Sequence, residues 1–515
     1  MKKFIQNDAL MLGLCLLAGF LLRFYTFDQR SLWLDEVYTF EDSRDDLKAQ
    51  FKFYQENSTF LHPPLFFILT HQLYPFPKPE RDLRIIPLIF GTLSIPLIYL
   101  LARSFATQIA LPCAISMTLM AYHICISQDG RVYSFLMFFG MLSLFLLIRY
   151  LKTFNRIYLI LSALVYNLLF FSSYSSIPFI VFSQILWFYQ PRQDGQKPKI
   201  SSFFILSGLT SLLIIAWLVF VVLNYRGQPV MDPMHTESPG SFLDILYWVL
   251  NDWVPYPPLL ITSVILLTLF TFFHKNRRNA WVLLAVFVFP IAGLYLFCKV
   301  LNVTHFVTSR YFINFLPPFF IALYLSLHAI ETRFQKLKKW MRLRLLFVIL
   351  FVLSNMVILP LYYQSEKQDF RGLVNYLQGH LQEGDRIFVT STALIPGILH
   401  YFNNPPKGRH HVASTLLDEN KQIEYQMPFI YQNKIFRLYN AKSCCTQFVA
   451  DGNRLWIVVE KMAAKKFREG SPAVLKGYFD GSFLNFNRFP TDASMYLFLW
   501  DPKNPDEKGI EMPIE

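Results

Sequence analysis

The chain has 515 residues, 54% of them hydrophobic, 17% aromatic and only 16% charged, with a formal net charge of +13. A soluble domain carries about 25% charged residues, so this composition excludes an ordinary globular protein. The positive balance does not indicate nucleic acid, because Lys and Arg fall in short clusters between apolar runs, where they orient a chain in a membrane.

Residues 1–362 hold the long apolar runs, and residues 363–515 read as a soluble domain. Lys2 and Lys3 precede an apolar stretch from Ala9 to Leu22, and Arg23-Phe24-Tyr25 follows in place of a small-residue cleavage site. The segment therefore reads as an uncleaved first helix. A bilayer span needs about 20 apolar residues. On that rule spans are predicted at 9–27, 84–102, 105–126, 133–150, 157–174, 175–190, 201–223, 258–273, 280–298, 311–328 and 345–362, about eleven in all. With the N-terminus inside, the basic clusters alternate across every crossing, from Lys2/Lys3 and Arg103 to the run Arg333–Arg344. An odd number of spans then places 363–515 outside.

Three outside segments are more than turns. Residues 28–61 are rich in acids, of which Glu41, Asp42, Asp45 and Asp46 read as a solvated loop. Residues 62–76 are apolar but too short to span and suit an interfacial helix. Residues 224–257 include Trp248 and Trp253 at headgroup depth. In the tail, Phe370–Leu381 has a helical pattern, Arg386–Thr390 and Leu455–Val459 read as strands, and Glu460–Arg468 as a helix, which together predict a small α/β layer. Adjacent Cys444 and Cys445 read either as a strained disulfide or as two thiols, and no zinc-type spacing occurs among the six cysteines.

Three groups of residues stand out as candidates for chemistry. The first is Trp33-Leu34-Asp35-Glu36 followed by His62-Pro-Pro-Leu. A carboxylate pair pulled toward lipid by Trp33 and Leu34 is costly, and such acids tend to be functional. The second is Gln128-Asp129-Gly130-Arg131-Val132-Tyr133, in a tight outside turn that also reads as a plain polar turn with an interfacial tyrosine. The third is Arg310-Tyr311, opening a span. A lone Arg at a helix end is commonly a snorkelling anchor, but here it lies on the side where basic residues are sparse.

The order of these motifs, with Pro317 downstream, resembles the multispanning GT-C glycosyltransferases, in particular the bacterial relatives of the dolichyl-phosphate-mannose protein mannosyltransferases and of the lipid A aminoarabinose transferase. The resemblance covers about residues 8–330. It departs at Ser172-Ser173-Tyr174, where many relatives carry a His beside an aromatic. It implies an all-α polytopic membrane domain of GT-C type over 1–362, with a C-terminal soluble α/β domain over 363–515.

It further implies transfer of a sugar from a polyprenyl-phosphate donor to a hydroxyl of a lipid, glycan or protein, with inversion, on the extracytoplasmic face of a bacterial inner membrane. Asp35 would be the base, with Glu36 orienting it or holding a divalent cation. His62, Asp129, Arg131, Tyr133, Arg310 and Tyr311 would bind substrate. Glu36, His62 and Asp129 offer ligands for such a cation, and the sequence alone commits to no metal site. The competing reading is a transporter or flippase of lipid-linked sugars, but Lys, Asp and Glu avoid the spans and no repeat is visible, which favours surface chemistry.

Overall fold

A computed structural model describes residues 2–56, 63–190, 198–224, 241–300, 309–334, 342–403, 425–440, 452–481 and 493–514. His62, Cys444 and Cys445 lie outside the described residues. The chain divides into two compact units. One comprises 1–27, 45–73 and 84–360, the other 28–44, 74–83 and 361–515.

The first unit is helical, and each predicted apolar run coincides with helix. Five of the described helices are individually long and apolar enough to cross a bilayer, or seven if each of two bent pairs forms one span. Residues Arg156–Ser172 and Tyr174–Phe188 are apolar but shorter. The boundary between them falls at Ser173, whose backbone is extended and whose side chain caps Ser175. Helix Ser309–Arg333 is the most enclosed, 89% buried over its apolar window, whereas Ile200–Asn224 is only 17% buried. The latter leaves Leu212, Val222 and Leu223 exposed, as an outer helix facing lipid must.

One span is broken by design of its surroundings. Helices Thr107–Leu119 and Ala121–Ser127 meet at 62°, with Met120 extended between them. A break in a bilayer frees backbone groups that water cannot satisfy. Here the Ala121 N–H donates to Asn355 Oδ1 (2.9 Å), and the buried Arg23 guanidinium donates to the carbonyls of Met117 (2.9 Å) and Thr118 (3.2 Å). Arg23 Nη2 also lies 2.6 Å from His123 Nδ1. The second bent pair, Phe242–Trp253 with Pro257–Phe273, turns through 111°. Its first helix starts on a capping box between Ser241 and Asp244. Trp253 is fully buried in the protein, with its ring 5.4 Å from that of Phe319.

The second unit contains a six-stranded mixed sheet in the order β2-β3-β1-β4-β6-β5. The strands are β1 (Arg386–Val389), β2 (Tyr425–Tyr431), β3 (Lys434–Asn440), β4 (Leu455–Glu460), β5 (Val474–Phe479) and β6 (Met495–Trp500). Central β1 runs parallel to β3 and β4. Its side chains alternate, as pleating requires. Ile387 and Val389 join a core with helices Phe370–His380 and Ile395–Tyr401, while Phe388 faces the side closed by Lys461–Gly470. Both expected strands and both expected helices are present, and β2, β3, β5 and β6 are additional. Pro428 would exclude β2 from a sheet interior, but β2 is an edge strand, where a missing donor is tolerated.

Candidate functional site

In the first unit, the broken span delivers the 128–133 turn. Its short second helix runs against Gly91, where even a Cβ would meet Ser127 Oγ at 2.1 Å, so only glycine permits this approach. The turn is then fastened to the end of the first helix, since Gln128 Nε2 donates to the carbonyls of Arg23 (2.9 Å) and Tyr25 (2.6 Å). Asp129 is buried, Arg131 is half-buried, and the Arg131 N–H closes onto the Asp129 carbonyl at 2.6 Å. Tyr133 is buried at the start of the next helix.

Three of the candidates predicted from sequence converge. The Arg310 guanidinium lies 5.7 Å from the Tyr133 ring centre and 5.6 Å from that of Tyr311. Both distances are within cation–π range, so two aromatic faces orient the cation. Beside it, Ser309 Oγ donates to Asp252 and lies 2.8 Å from the Tyr122 hydroxyl. Asp252 went unnoticed in the sequence, where it reads as one more polar residue in an outside segment. One signal was available: an acid in the last turn of a helix opposes the helix dipole, and something else must hold it there.

Asp35 and Glu36 belong to the other unit. They occupy the first turn of helix Leu34–Arg44, where the helix dipole favours negative charge. Glu36 is fully buried, and its carboxylate accepts the Trp33 N–H (3.3 Å) in the manner of half a capping box. Asp35 is half-buried. The acidic segment after it is not uniformly solvated. Glu41 and Asp42 are each only 5% exposed, and Glu41 pairs with Arg44 at 3.0 Å, whereas Asp45 and Asp46 are exposed as expected. The helix turns its 41–42 face inward, which the run of acids concealed.

The stretch leading into this helix is held by side chains far away in sequence. The Ser31 N–H donates to Glu366 Oε2 (3.1 Å), the Leu32 N–H to the Tyr401 hydroxyl (2.7 Å) and the Leu34 N–H to Gln368 Oε1 (3.0 Å). The Tyr401 hydroxyl in turn donates to Glu80 Oε1 (2.9 Å). Lys367 lies over the Trp33 ring at 5.7 Å. Burial, and then the neighbouring Asp369 carboxylate, push Glu366 up to about 7. Burial pulls His400 down to about 4 against the opposing pull of Glu80.

At Ser172-Ser173-Tyr174, the Tyr174 hydroxyl accepts from Trp217 Nε1 at 2.6 Å. Among the described residues no group of three or more His, Cys, Asp or Glu side chains is placed to hold a metal ion.

No protein-family model matches the sequence, and no curated protein does. The fold does have solved counterparts. ArnT from Cupriavidus metallidurans in the apo state superposes with a TM-score of 0.56 at 10% identity, over 96% of this chain and 98% of that one. The Archaeoglobus fulgidus oligosaccharyltransferase tethered to an acceptor peptide superposes at 0.50 with 12% identity, over 88% of this chain and 69% of that one. A structure of the same ArnT bound to undecaprenyl phosphate gives 0.49 at 11% identity, over 96% and 98%. The chain therefore shares the GT-C fold of these structures, with a C-terminal sheet domain, and it is a multi-pass membrane protein.

Proposed function

We propose that this chain is an inverting membrane glycosyltransferase that moves a sugar from a polyprenyl-phosphate donor to a hydroxyl acceptor on the extracytoplasmic face of a bacterial inner membrane. The observation that carries the reading is the Arg310 guanidinium oriented by Tyr133 and Tyr311 on a GT-C fold. The leaving group is a phosphate, already a weak base, so it needs no strong acid. It needs fixed positive charge, and the planar fork of Arg matches two phosphate oxygens. Arg310 holds it, with Arg131 and Asp129 on the neighbouring turn shaping the donor pocket. Asp35 takes the proton from the acceptor hydroxyl as its oxygen bonds to the anomeric carbon. The bond from that carbon to the phosphate oxygen breaks, and the electron pair leaves with the phosphate. Attack from the face opposite the phosphate inverts the centre.

The prenyl tail stays in lipid while the sugar meets the polar loops, which accounts for candidates clustered in loops and at helix ends. Residues 1–362 are assigned to the membrane domain and 363–515 to an extracytoplasmic domain, with a cytoplasmic N-terminus.

Asp35→Asn tests the base. It keeps the size and removes the proton acceptor, and turnover should fall by about 10²–10⁴-fold, with binding of polyprenyl phosphate retained. Purified protein assayed with short-chain polyprenyl-phosphate hexoses and pentoses supplies the measurement. Wild-type turnover in this variant would remove Asp35 from the reaction.

A further inference from the structure

The segment that leads into Asp35 lies outside any helix or strand. Residues 31–33 precede the helix, yet the N–H groups of Ser31, Leu32, Trp33 and Leu34 are all taken by side chains: Glu366, Tyr401, Glu36 and Gln368 respectively. Three of these four acceptors come from the tail of the chain, more than 330 residues downstream of the segment they hold. The clamp is itself braced. Tyr401 spends its own proton on Glu80, Arg371 lies 3.7 Å from the same Glu80 oxygen, and the Arg371 N–H donates to Ser31 Oγ (3.2 Å). The Glu366 N–H is fixed by Asp480 Oδ2 at 3.0 Å. Arg30, one residue upstream, stacks over the Tyr362 ring at 3.9 Å and donates to its carbonyl at 2.9 Å.

Ser31, Leu32 and Trp33 are buried, so water cannot satisfy their N–H groups, and the side chains that take them tie the segment down at every residue. That is what a chain needs when the direction of the following helix must be fixed. Asp35 is the second residue of that helix, so a shift at 31–34 moves its carboxylate directly.

We propose that Glu366, Gln368 and Tyr401 are positioning residues for Asp35, so that the C-terminal domain is a structural part of the acceptor-activating machinery rather than an appended module. The proposal rests on Asp35 being the base. It deepens that assignment by giving the tail a role that no motif in its sequence announces. None of the three touches the reacting atoms. Each acts by holding a backbone N–H that sets where the Asp35 helix begins.

Three substitutions test it in the full-length protein in detergent. Tyr401→Phe removes the hydroxyl that accepts from Leu32 and keeps the ring. Glu366→Leu removes the acceptor for Ser31, while Glu366→Gln keeps a carbonyl oxygen in its place. Tyr401→Phe and Glu366→Leu should each lower kcat by about 10–100-fold, the usual consequence of a misplaced reacting group. The KM for the polyprenyl-phosphate sugar and the binding of polyprenyl phosphate alone should stay constant. Glu366→Gln should restore most of the turnover. Added to Asp35→Asn, Tyr401→Phe should cause little further loss, because the group it positions is already gone. Thermal unfolding separates a positioning effect from a folding defect. If Tyr401→Phe unfolds, the Glu366→Leu and Glu366→Gln pair decides. Wild-type kcat in Tyr401→Phe and Glu366→Leu, with Asp35→Asn inactive, would overturn the positioning role and leave the base assignment standing. So would equal losses in Glu366→Leu and Glu366→Gln. Full activity of Asp35→Asn would instead overturn the base itself.

Discussion

The two units face one problem, irregular backbone that must not be left unsatisfied, and they solve it in different surroundings. In the helical unit the break at Met120 is covered from inside the membrane domain, by Arg23 on the carbonyls of Met117 and Thr118 and by Asn355 on the Ala121 N–H. In the other unit the extended stretch 31–34 is held by Glu366, Tyr401, Glu36 and Gln368. In both places the irregular segment lies just before a candidate residue group, the 128–133 turn in one and Asp35 in the other. The lesson is that a departure from regular structure has been stabilised by partners distant in sequence where a side chain must be aimed. The cost of losing those partners differs, because the Arg23 bonds are fully buried whereas those to Glu366, Tyr401 and Gln368 are only part-buried.

Removing the buried support should have the largest effect. Arg23→Leu takes the donor from the Thr118 carbonyl and leaves the Met117 carbonyl with only His123 Nδ1, 3.2 Å away, in a buried setting, and an unsatisfied buried group costs about 1–3 kcal/mol. Little monodisperse protein should be recovered in detergent, as read by size-exclusion chromatography. Recovery equal to wild type would show that the break holds itself.

Arg310 comes next, and it separates a phosphate clamp from an anchor. An anchor needs only a long cationic chain, so Lys would serve. A clamp needs the planar fork, which Lys cannot copy. Arg310→Lys should therefore lower kcat more than it weakens binding of polyprenyl phosphate, and Arg310→Ala should abolish turnover. The charge on the phosphate grows as the bond breaks, so the loss belongs to the transition state. Full turnover in Arg310→Lys would transfer the clamp to Arg131.

A smaller effect concerns pH and the sheet-containing unit. Glu366 titrates near 7 in the folded chain, above its ordinary 4.5. Between those values the folded state holds a proton that the unfolded state has lost, so this group's contribution is present below about 4.5 and fades as pH rises through 7. His400, lowered from 6.5 to about 4, acts with the opposite sign: its contribution is present above 6.5 and is lost as pH falls through 4. The two partly cancel. Glu366→Gln should remove one side, so that thermal stability climbs with pH more steeply than in wild type between 4.5 and 7. Parallel profiles for the two proteins would show that Glu366 does not titrate in this window.

The smallest effect should come from Asp46. It is exposed, belongs to the helical unit rather than to that of Asp35, and accepts the Ala49 N–H at 2.7 Å as the cap of helix Leu47–Glu56. Asn caps about as well as Asp, so Asp46→Asn should leave turnover unchanged. A loss comparable to that of Asp35→Asn would mean that charge over the whole acidic segment matters, not one carboxylate.

Local and strong constraints made part of the fold legible in the sequence. A bilayer requires unbroken apolar length, so the helices of the membrane domain could be read from hydropathy alone, even at the weak boundary near Ser173. Period-two and helical patterns likewise placed β1, β4 and the helices Phe370–His380 and Lys461–Gly470 in the tail. The pairing of Arg310 with Tyr311 was written in adjacent letters.

Other features were left to folding, because they depend on contacts between remote segments. Folding joined residues 28–44 and 74–83 to the tail in one compact unit. It buried Glu41 and Asp42, which read as solvated. It set Asp252 beside Ser309 and brought Tyr133 to Arg310. It paired β2 with β3 through Gln432 and Asn433, both at positive φ without the glycine that marks such turns. An acidic run or an isolated aspartate looks the same in sequence whether it meets water or a partner, and only the folded chain supplies the partner.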